Sequence, residues 1–119
     1  MNKAEVFGWI KRTRIVPVVR APSSKEAIRL AEGLIEGGID VLEITLTVPG
    51  AIETIRTLAQ RADVLVGAGT VLDPESAKAC LDAGARFVVS PALNVETVKA
   101  CNAAEVLCAP ACSVKIMDP

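Results

Sequence analysis

The residue in this sequence best suited to acid–base chemistry is Glu43, in the run Leu42-Glu43-Ile44-Thr45. Apolar neighbours on both sides indicate a buried strand, and its two-residue repeat places Glu43 and Thr45 on the same face. An ionised carboxylate in such a strand is costly unless it is paired or its raised pKa is used in a reaction. Two interpretations stay open: a catalytic acid–base, or a structural salt bridge to Arg20 on the neighbouring strand.

Other polar residues end apolar runs along the chain. Arg20 ends the first run, Thr70 follows the third, and Ser90-Pro91 ends the fourth. Parallel sheets collect their functional groups at the carboxyl ends of the strands. We therefore expect Arg20, Thr70 and Pro91 to lie along one edge of the sheet.

The segment before Thr70 contains two glycines, Gly67 and Gly69, which suggest a nucleotide-binding loop. The dinucleotide fingerprint needs a third glycine where Leu72 stands, so this indication is weak. The bare backbone either lets a substrate approach closely, with Thr70 donating a hydrogen bond to a carboxylate or carbonyl, or serves close packing of strands and helices.

Composition narrows the chemistry open to these side chains. The 119 residues include 13 basic and 14 acidic side chains, one Trp, two Phe and no His. A nearly neutral chain with so few aromatic rings lacks the field and the stacking surface that nucleic acids need, so we expect no nucleic-acid partner. Without histidine, chemistry must use carboxylates, lysines, cysteines, hydroxyls or backbone amides.

The four cysteines, at positions 80, 101, 108 and 112, have no C-x-x-C spacing, and three lie in apolar runs. They are predicted to be buried structural thiols, with no metal site. No stretch reaches the ~18 apolar residues that span a bilayer, and the first residues lack the pattern of a signal peptide. We expect a reduced, cytoplasmic protein with no membrane partner.

Strands and helices must alternate to position these groups. Side chains suited to helix capping precede four of the predicted helices, at Asn2, Ser23, Asp73 and Asn94. Apolar runs predict strands over residues 14–20, 41–46, 64–66, 87–91 and 106–108. The strand centres are separated by 26, 22, 22 and 19 residues, which is typical of βα units.

This alternation predicts an α/β fold with a parallel sheet in a single partial barrel domain, residues 1–119. Two architectures fit. One is a (β/α)8 TIM-type barrel truncated after about strand five, and the other is an open five-stranded doubly wound sheet.

Six motifs occur in an order and spacing that resemble a known family. They are Arg14-Ile-Val-Pro-Val-Val-Arg20, Gly37-Gly38, Leu42-Glu-Ile-Thr-Leu46, Val66-Gly-Ala-Gly-Thr-Val71, Gly84-Ala85 and Phe87-Val-Val-Ser-Pro91. From the first helix to about Pro110, the chain resembles the amino-terminal half of the 2-keto-3-deoxy-6-phosphogluconate and 4-hydroxy-2-oxoglutarate aldolases.

The resemblance implies a barrel, normally a homotrimer, that cleaves a 2-keto-3-deoxy acid into pyruvate and an aldehyde. No cofactor is predicted. In that family a lysine forms a Schiff base with the keto carbon, and a glutamate that corresponds to Glu43 shuttles protons. Thr70 corresponds to the threonine that binds the pyruvate carboxylate, and Arg20 to a basic residue near the same pocket. Pro91, which ends the fourth-strand motif, is assigned to substrate binding with them.

The sequence also departs from the family. Thr47 stands where many members carry an arginine for the pyruvate carboxylate. The Schiff-base lysine of the family lies on strand six, which this chain does not reach, and Lys115 follows the fifth strand too closely to lie on another parallel strand. We therefore predict an aldolase-type lyase that is inactive by itself. The alternative is a non-catalytic α/β module that binds a small carboxylate or phosphate, or self-assembles through open sheet edges.

Overall fold

The computed structural model describes residues 1–91 and 93–110, in which helices and strands alternate from end to end. In chain order the elements are α1 (Lys3–Thr13), β1 (Val18–Val19), α2 (Ser24–Glu36), β2 (Val41–Thr45), α3 (Ala51–Ala59), β3 (Leu65–Gly69), α4 (Pro74–Asp82), β4 (Phe87–Ser90), α5 (Val95–Ala103) and β5 (Leu107–Pro110).

Four of these helices begin at the predicted capping residues. The side chains of Asn2, Ser23, Asp73 and Asn94 each accept a hydrogen bond from the backbone N–H three residues later, at 2.7–3.2 Å. Such bonds satisfy donors that the first helical turn leaves unpaired, and they depend on nearby residues alone. The predicted starts of α1, α2, α4 and α5 are therefore confirmed.

The first strand is shorter than predicted. The sequence predicts a strand over residues 14–20, whereas β1 contains only Val18–Val19. Arg14 instead caps α1 with a left-handed φ of 64°, and its N–H donates to the Ile10 carbonyl at 2.8 Å. Pro17 then has no N–H to offer a neighbouring strand. The apolar run located the segment but not the residue at which strand pairing begins.

The sheet decides between the two predicted architectures. Its strands are all parallel, and their order is β1-β2-β3-β4-β5, which is also their order in the sequence. A doubly wound sheet reverses its order at a switch point and carries helices on both faces. In a βα barrel each successive unit adds its strand beside the previous one, and the strands of this sheet follow that order. The doubly wound alternative is therefore wrong.

One face of the sheet packs against helices α2 to α5. Successive strands contribute a row of buried apolar side chains to this face, and the helices contribute small or branched residues to the same core. The strand residues in this core include Val19, Leu42, Ile44, Val66, Ala68 and Val88, and the helix residues include Ala27, Ala31, Ile55, Leu58, Ala77, Cys80 and Cys101.

The opposite face, which we call the inner face, carries a smaller core. Val41, Leu65 and Phe87, the first residues of β2, β3 and β4, pack there with Val6 of α1, so α1 covers the amino-terminal ends of these strands. Among the described residues, β1 and β5 each pair with one strand only, and the sheet does not close on itself. None of the described helices has the length and apolar character needed to span a membrane.

Candidate active site

Glu43 lies in the middle of β2, and its side chain belongs to the inner face. Both neighbours, Leu42 and Ile44, pack into the helix-side core, so the strand repeat directs Glu43 away from the helices. Glu43 pairs in register with Val18 of β1 and Gly67 of β3, and only 6% of it is exposed. The sequence prediction of a buried carboxylate on this strand is confirmed.

The two glycines of β3 make room for side chains from the strands on either side. A Cβ built at Gly69 would overlap the Glu43 carboxyl group, and a Cβ built at Gly67 would overlap the Phe87 ring. Gly67 and Gly69 thus serve packing, but between neighbouring strands on the inner face. The Glu43 carboxyl group rests against the bare backbone of Gly69 because that position has no side chain.

Burial is the main influence on the ionisation of Glu43. Desolvation raises the pKa of the carboxyl group above its ordinary value of 4.5, and the positive charge of Arg20 opposes this rise. Arg20 itself is exposed, and no ion pair within residues 1–91 and 93–110 includes Glu43. The structural salt bridge considered from the sequence is therefore not formed.

This pKa direction predicts a pH-dependent effect of Glu43→Gln on stability. The folded protein keeps the Glu43 proton to a higher pH than the unfolded chain does. The Glu43 carboxyl group therefore lowers the free energy of unfolding as the pH rises from about 4.5 through the folded-state pKa. We expect the Gln variant to match the wild type at pH 4 and to be more stable at pH 7, as measured by urea denaturation. A Gln variant that is less stable at pH 7 would instead indicate a stabilising ion pair.

The other predicted site residues follow the strands to the same end of the sheet. Arg20 comes directly after β1 and is exposed, Thr70 comes directly after β3 and is half-buried, and Pro91 comes directly after β4 and is exposed. The ends of β3 and β4 are joined where the N–H of Val71 donates to the Val89 carbonyl at 3.1 Å. Arg20 follows β1 and Pro91 follows β4, so the two strands β2 and β3 lie between them in the sheet.

Two inner-face residues were not singled out from the sequence as part of this site. Phe87 fills the space beside Glu43 over Gly67, and Thr45 is 1% exposed with a hydroxyl oxygen that has no hydrogen-bond partner among the described residues. The strand repeat placed Thr45 on the face of Glu43. The repeat could not predict that the Thr45 hydroxyl has no hydrogen-bond partner, because hydrogen bonding of this group depends on residues of the neighbouring strands.

The described cysteines lie away from this edge and behave as core residues. Cys80 and Cys101 are fully buried, and burial raises the pKa of their thiols to about 11 and about 12. Cys108 is half-buried against the same core. No group of three or more potential ligands in the described part of the chain could hold a metal ion. Cys112 and Lys115 lie outside the described residues.

Comparison with known proteins assigns the chain to a family. Residues 6–117 match the family model for KDPG and KHG aldolase. The chain belongs to this aldolase family. The 2-dehydro-3-deoxy-phosphogluconate aldolase of Treponema pallidum (strain Nichols) is 44% identical over 97 residues, which are 81% of this chain and 46% of the relative. The KHG/KDPG aldolase of Escherichia coli (strain K12) is 39% identical over 87 residues, 72% of this chain and 41% of the relative.

Solved aldolase structures share the fold. The 2-keto-3-deoxy-6-phosphogluconate aldolase of Zymomonas mobilis ZM4, solved with 3-phosphoglycerate, matches 89% of this chain with a TM-score of 0.81 and 32% identity. The KDPG aldolase of Legionella pneumophila, with pyruvate captured as a covalent carbinolamine, matches 80% with a TM-score of 0.73 and 40% identity. The chain covers 51% and 47% of these two structures and less than half of the curated relatives. The prediction of barrel-type βα units from this aldolase family is confirmed.

Proposed function

We propose that this chain supplies one half of the active site of a Schiff-base aldolase that releases pyruvate from 2-keto-3-deoxy-6-phosphogluconate or 4-hydroxy-2-oxoglutarate. The observation that carries the proposal is the Glu43 carboxyl group, buried on the inner face against Gly69 with a raised pKa. An acid–base catalyst works best with a pKa near the working pH, and burial moves a carboxyl group in that direction. Family membership supplies the reaction class.

Each proposed residue has a task set by its place. Glu43 takes up a proton as the carbon–carbon bond breaks and returns it to the enamine, because its carboxyl group can hold a proton in the folded protein. Thr70 and Arg20, at the ends of β3 and β1, bind the carboxylate of the keto acid as a hydrogen-bond donor and a positive charge. Pro91, directly after β4, is proposed to contact the keto acid at the same edge of the sheet.

The Schiff-base lysine is proposed to come from a segment outside the described residues. Each lysine in residues 1–91 and 93–110 lies on a helix rather than at a strand end, and four of the five are exposed. They are Lys3, Lys11, Lys25, Lys78 and Lys99. A lysine nucleophile needs a desolvated site beside the substrate, which these exposed positions do not provide. Lys115 follows the fifth strand too closely to lie on another parallel strand. The 119-residue chain is therefore proposed to be inactive by itself, as a single partial barrel domain.

Reduction with borohydride in the presence of pyruvate tests this proposal. We expect mass spectrometry to find no covalent adduct on the chain alone. A chimera that joins residues 1–110 to the carboxyl-terminal half of the Escherichia coli aldolase is expected to form one, because that half completes the family barrel. A reduced adduct on Lys115 of the chain alone would contradict the missing-lysine proposal, and a folded chimera that forms no adduct would contradict the half-site proposal.

The oligomeric state and the cellular location of the protein stay predictions from the family resemblance. We propose a homo-oligomer, a trimer by analogy with the family, that works in the cytoplasm. Within residues 1–91 and 93–110 no strand pairs with the outer edges of β1 and β5, and Val18 of β1 is 50% exposed. Both features also favour the alternative in which the chain self-assembles through its sheet edges.

A further inference from the structure

The hydroxyl group of Thr45 is buried without a partner. Thr45 is 1% exposed, and its Oγ1 accepts or donates no hydrogen bond within the described residues. Leaving a buried polar group unpaired is unfavourable, and the large majority of buried side-chain polar atoms do find a partner. An unpaired hydroxyl beside a candidate site therefore calls for a specific explanation.

Backbone hydrogen bonds hold the chain on the carboxyl side of Thr45, whereas the hydroxyl group of its side chain has no partner among the described residues. The Thr45 carbonyl accepts from the Val48 N–H at 3.0 Å, and the next N–H, that of Leu46, donates to the Gly69 carbonyl at 2.7 Å. These bonds fix Thr45 against β3 at the level of Gly69, with which it pairs in register. The hydroxyl can turn about χ1, whereas the backbone that carries it cannot move freely.

Thr45 and Glu43 meet at the same glycine. Their side chains share the inner face because they are two residues apart on β2. The Glu43 carboxyl group extends over Gly69, which is the register partner of Thr45. Since Gly69 has no side chain, nothing from that position separates the carboxyl group from the Thr45 hydroxyl.

We propose that Thr45 is a positioning residue for Glu43, whose ionised carboxylate receives a hydrogen bond from the Thr45 hydroxyl. The bond forms when Glu43 loses its proton, because a charged acceptor forms the stronger hydrogen bond. It holds the carboxylate over Gly69 and offsets part of the cost of burying the charge. The catalytic meaning of this bond rests on the proposed function, but the bond itself is a property of this chain.

Few other described groups influence the ionisation of Glu43. Arg20, after β1, contributes the one opposing charge. The register partner on β1 is Val18, and β3 offers only Gly67 and Gly69 beside Glu43. Because Thr45→Val leaves Arg20 and both glycines in place, a change in the Glu43 pKa would come from the lost hydroxyl group.

The test is to titrate Glu43 by ¹³C NMR in the full 119-residue chain labelled at the glutamate carboxyl carbons, with Glu43→Gln identifying the resonance. Thr45→Val removes the hydroxyl and keeps the shape, and we expect the pKa of Glu43 to rise by about one, a tenfold change in its ionisation constant. Thr45→Ser keeps the hydroxyl and is expected to leave the pKa near the wild-type value. If Thr45→Val does not fold, Thr45→Ala removes the same hydroxyl with less bulk and predicts the same direction.

The chain also offers a matched control. Thr97 on α5 is another fully buried threonine whose hydroxyl has no partner among the described residues. Thr97→Val makes the same chemical change away from Glu43 and is expected to leave its pKa unchanged. An unchanged pKa in Thr45→Val, or an equal rise in Thr97→Val, would overturn the proposal. The titration uses no substrate, so its result is independent of whether the aldolase proposal fails.

Discussion

Phe87→Ala is expected to lower the free energy of unfolding by about 3–5 kcal/mol. Phe87 is 2% exposed, and its ring fills the inner face over Gly67 beside Val41 and Leu65. Removing the ring leaves a cavity between α1 and the sheet, and the surrounding strands can collapse into it only in part because their backbone bonds fix their spacing. Urea denaturation followed by circular dichroism measures the change.

Phe7, the other phenylalanine of the chain, provides the control. It is 53% exposed, and the Lys11 Nζ lies 5.5 Å from its ring centroid. We expect Phe7→Ala to cost less than about 1 kcal/mol. If Phe7→Ala and Phe87→Ala lowered the free energy of unfolding equally, the inner-face core would not be a major source of stability.

A double-mutant cycle isolates the contact between Phe87 and Gly67. Gly67→Ala alone forces a methyl group into the ring and is expected to cost about 1–3 kcal/mol. In the double variant the methyl group enters space that the ring has left. We therefore expect the double variant to lose less free energy of unfolding than the sum of the losses in the two single variants. If the two losses in the free energy of unfolding were strictly additive, they would contradict the contact between the Phe87 ring and Gly67.

Glu43→Gln is expected to lower kcat by about 10²–10⁴-fold in the chimeric barrel built from residues 1–110 and the carboxyl-terminal half of the Escherichia coli aldolase. The amide has nearly the same size and hydrogen-bonding shape as the carboxyl group, but it cannot take up and return a proton. Steady-state release of pyruvate measures the effect. Because the change removes a buried carboxylate, we expect no loss of stability.

Glu36→Gln is the matched control for this experiment. Glu36 ends α2 and is exposed, so the same substitution there changes one charge without touching the inner face. We expect this variant to keep the kcat of the parent chimera. A Glu43→Gln chimera that retains more than about a tenth of the parent rate would remove Glu43 from the proton-transfer role.

The helix starts and strand positions could be predicted because they depend on nearby residues. The Asp73 side chain caps α4 through the Ser76 N–H, three residues away, and the apolar run around Leu42 indicated β2 directly. Where a local conformation competed with the pattern, the prediction was wrong. Arg14 adopts a left-handed backbone that ends α1, so β1 begins four residues later than the apolar run suggested.

By itself, the sequence determined the alternation of strands and helices, the burial of Glu43 and the family to which the chain belongs. It left open which architecture the units form, because periodicity along a strand does not say which strand lies beside it. The tertiary structure decided that through the unreversed order of the sheet. It also brought Gly69 under the Glu43 carboxyl group and Gly67 under the Phe87 ring. These contacts join residues at least 20 positions apart, so they follow from the register of neighbouring strands and not from any local pattern in the chain.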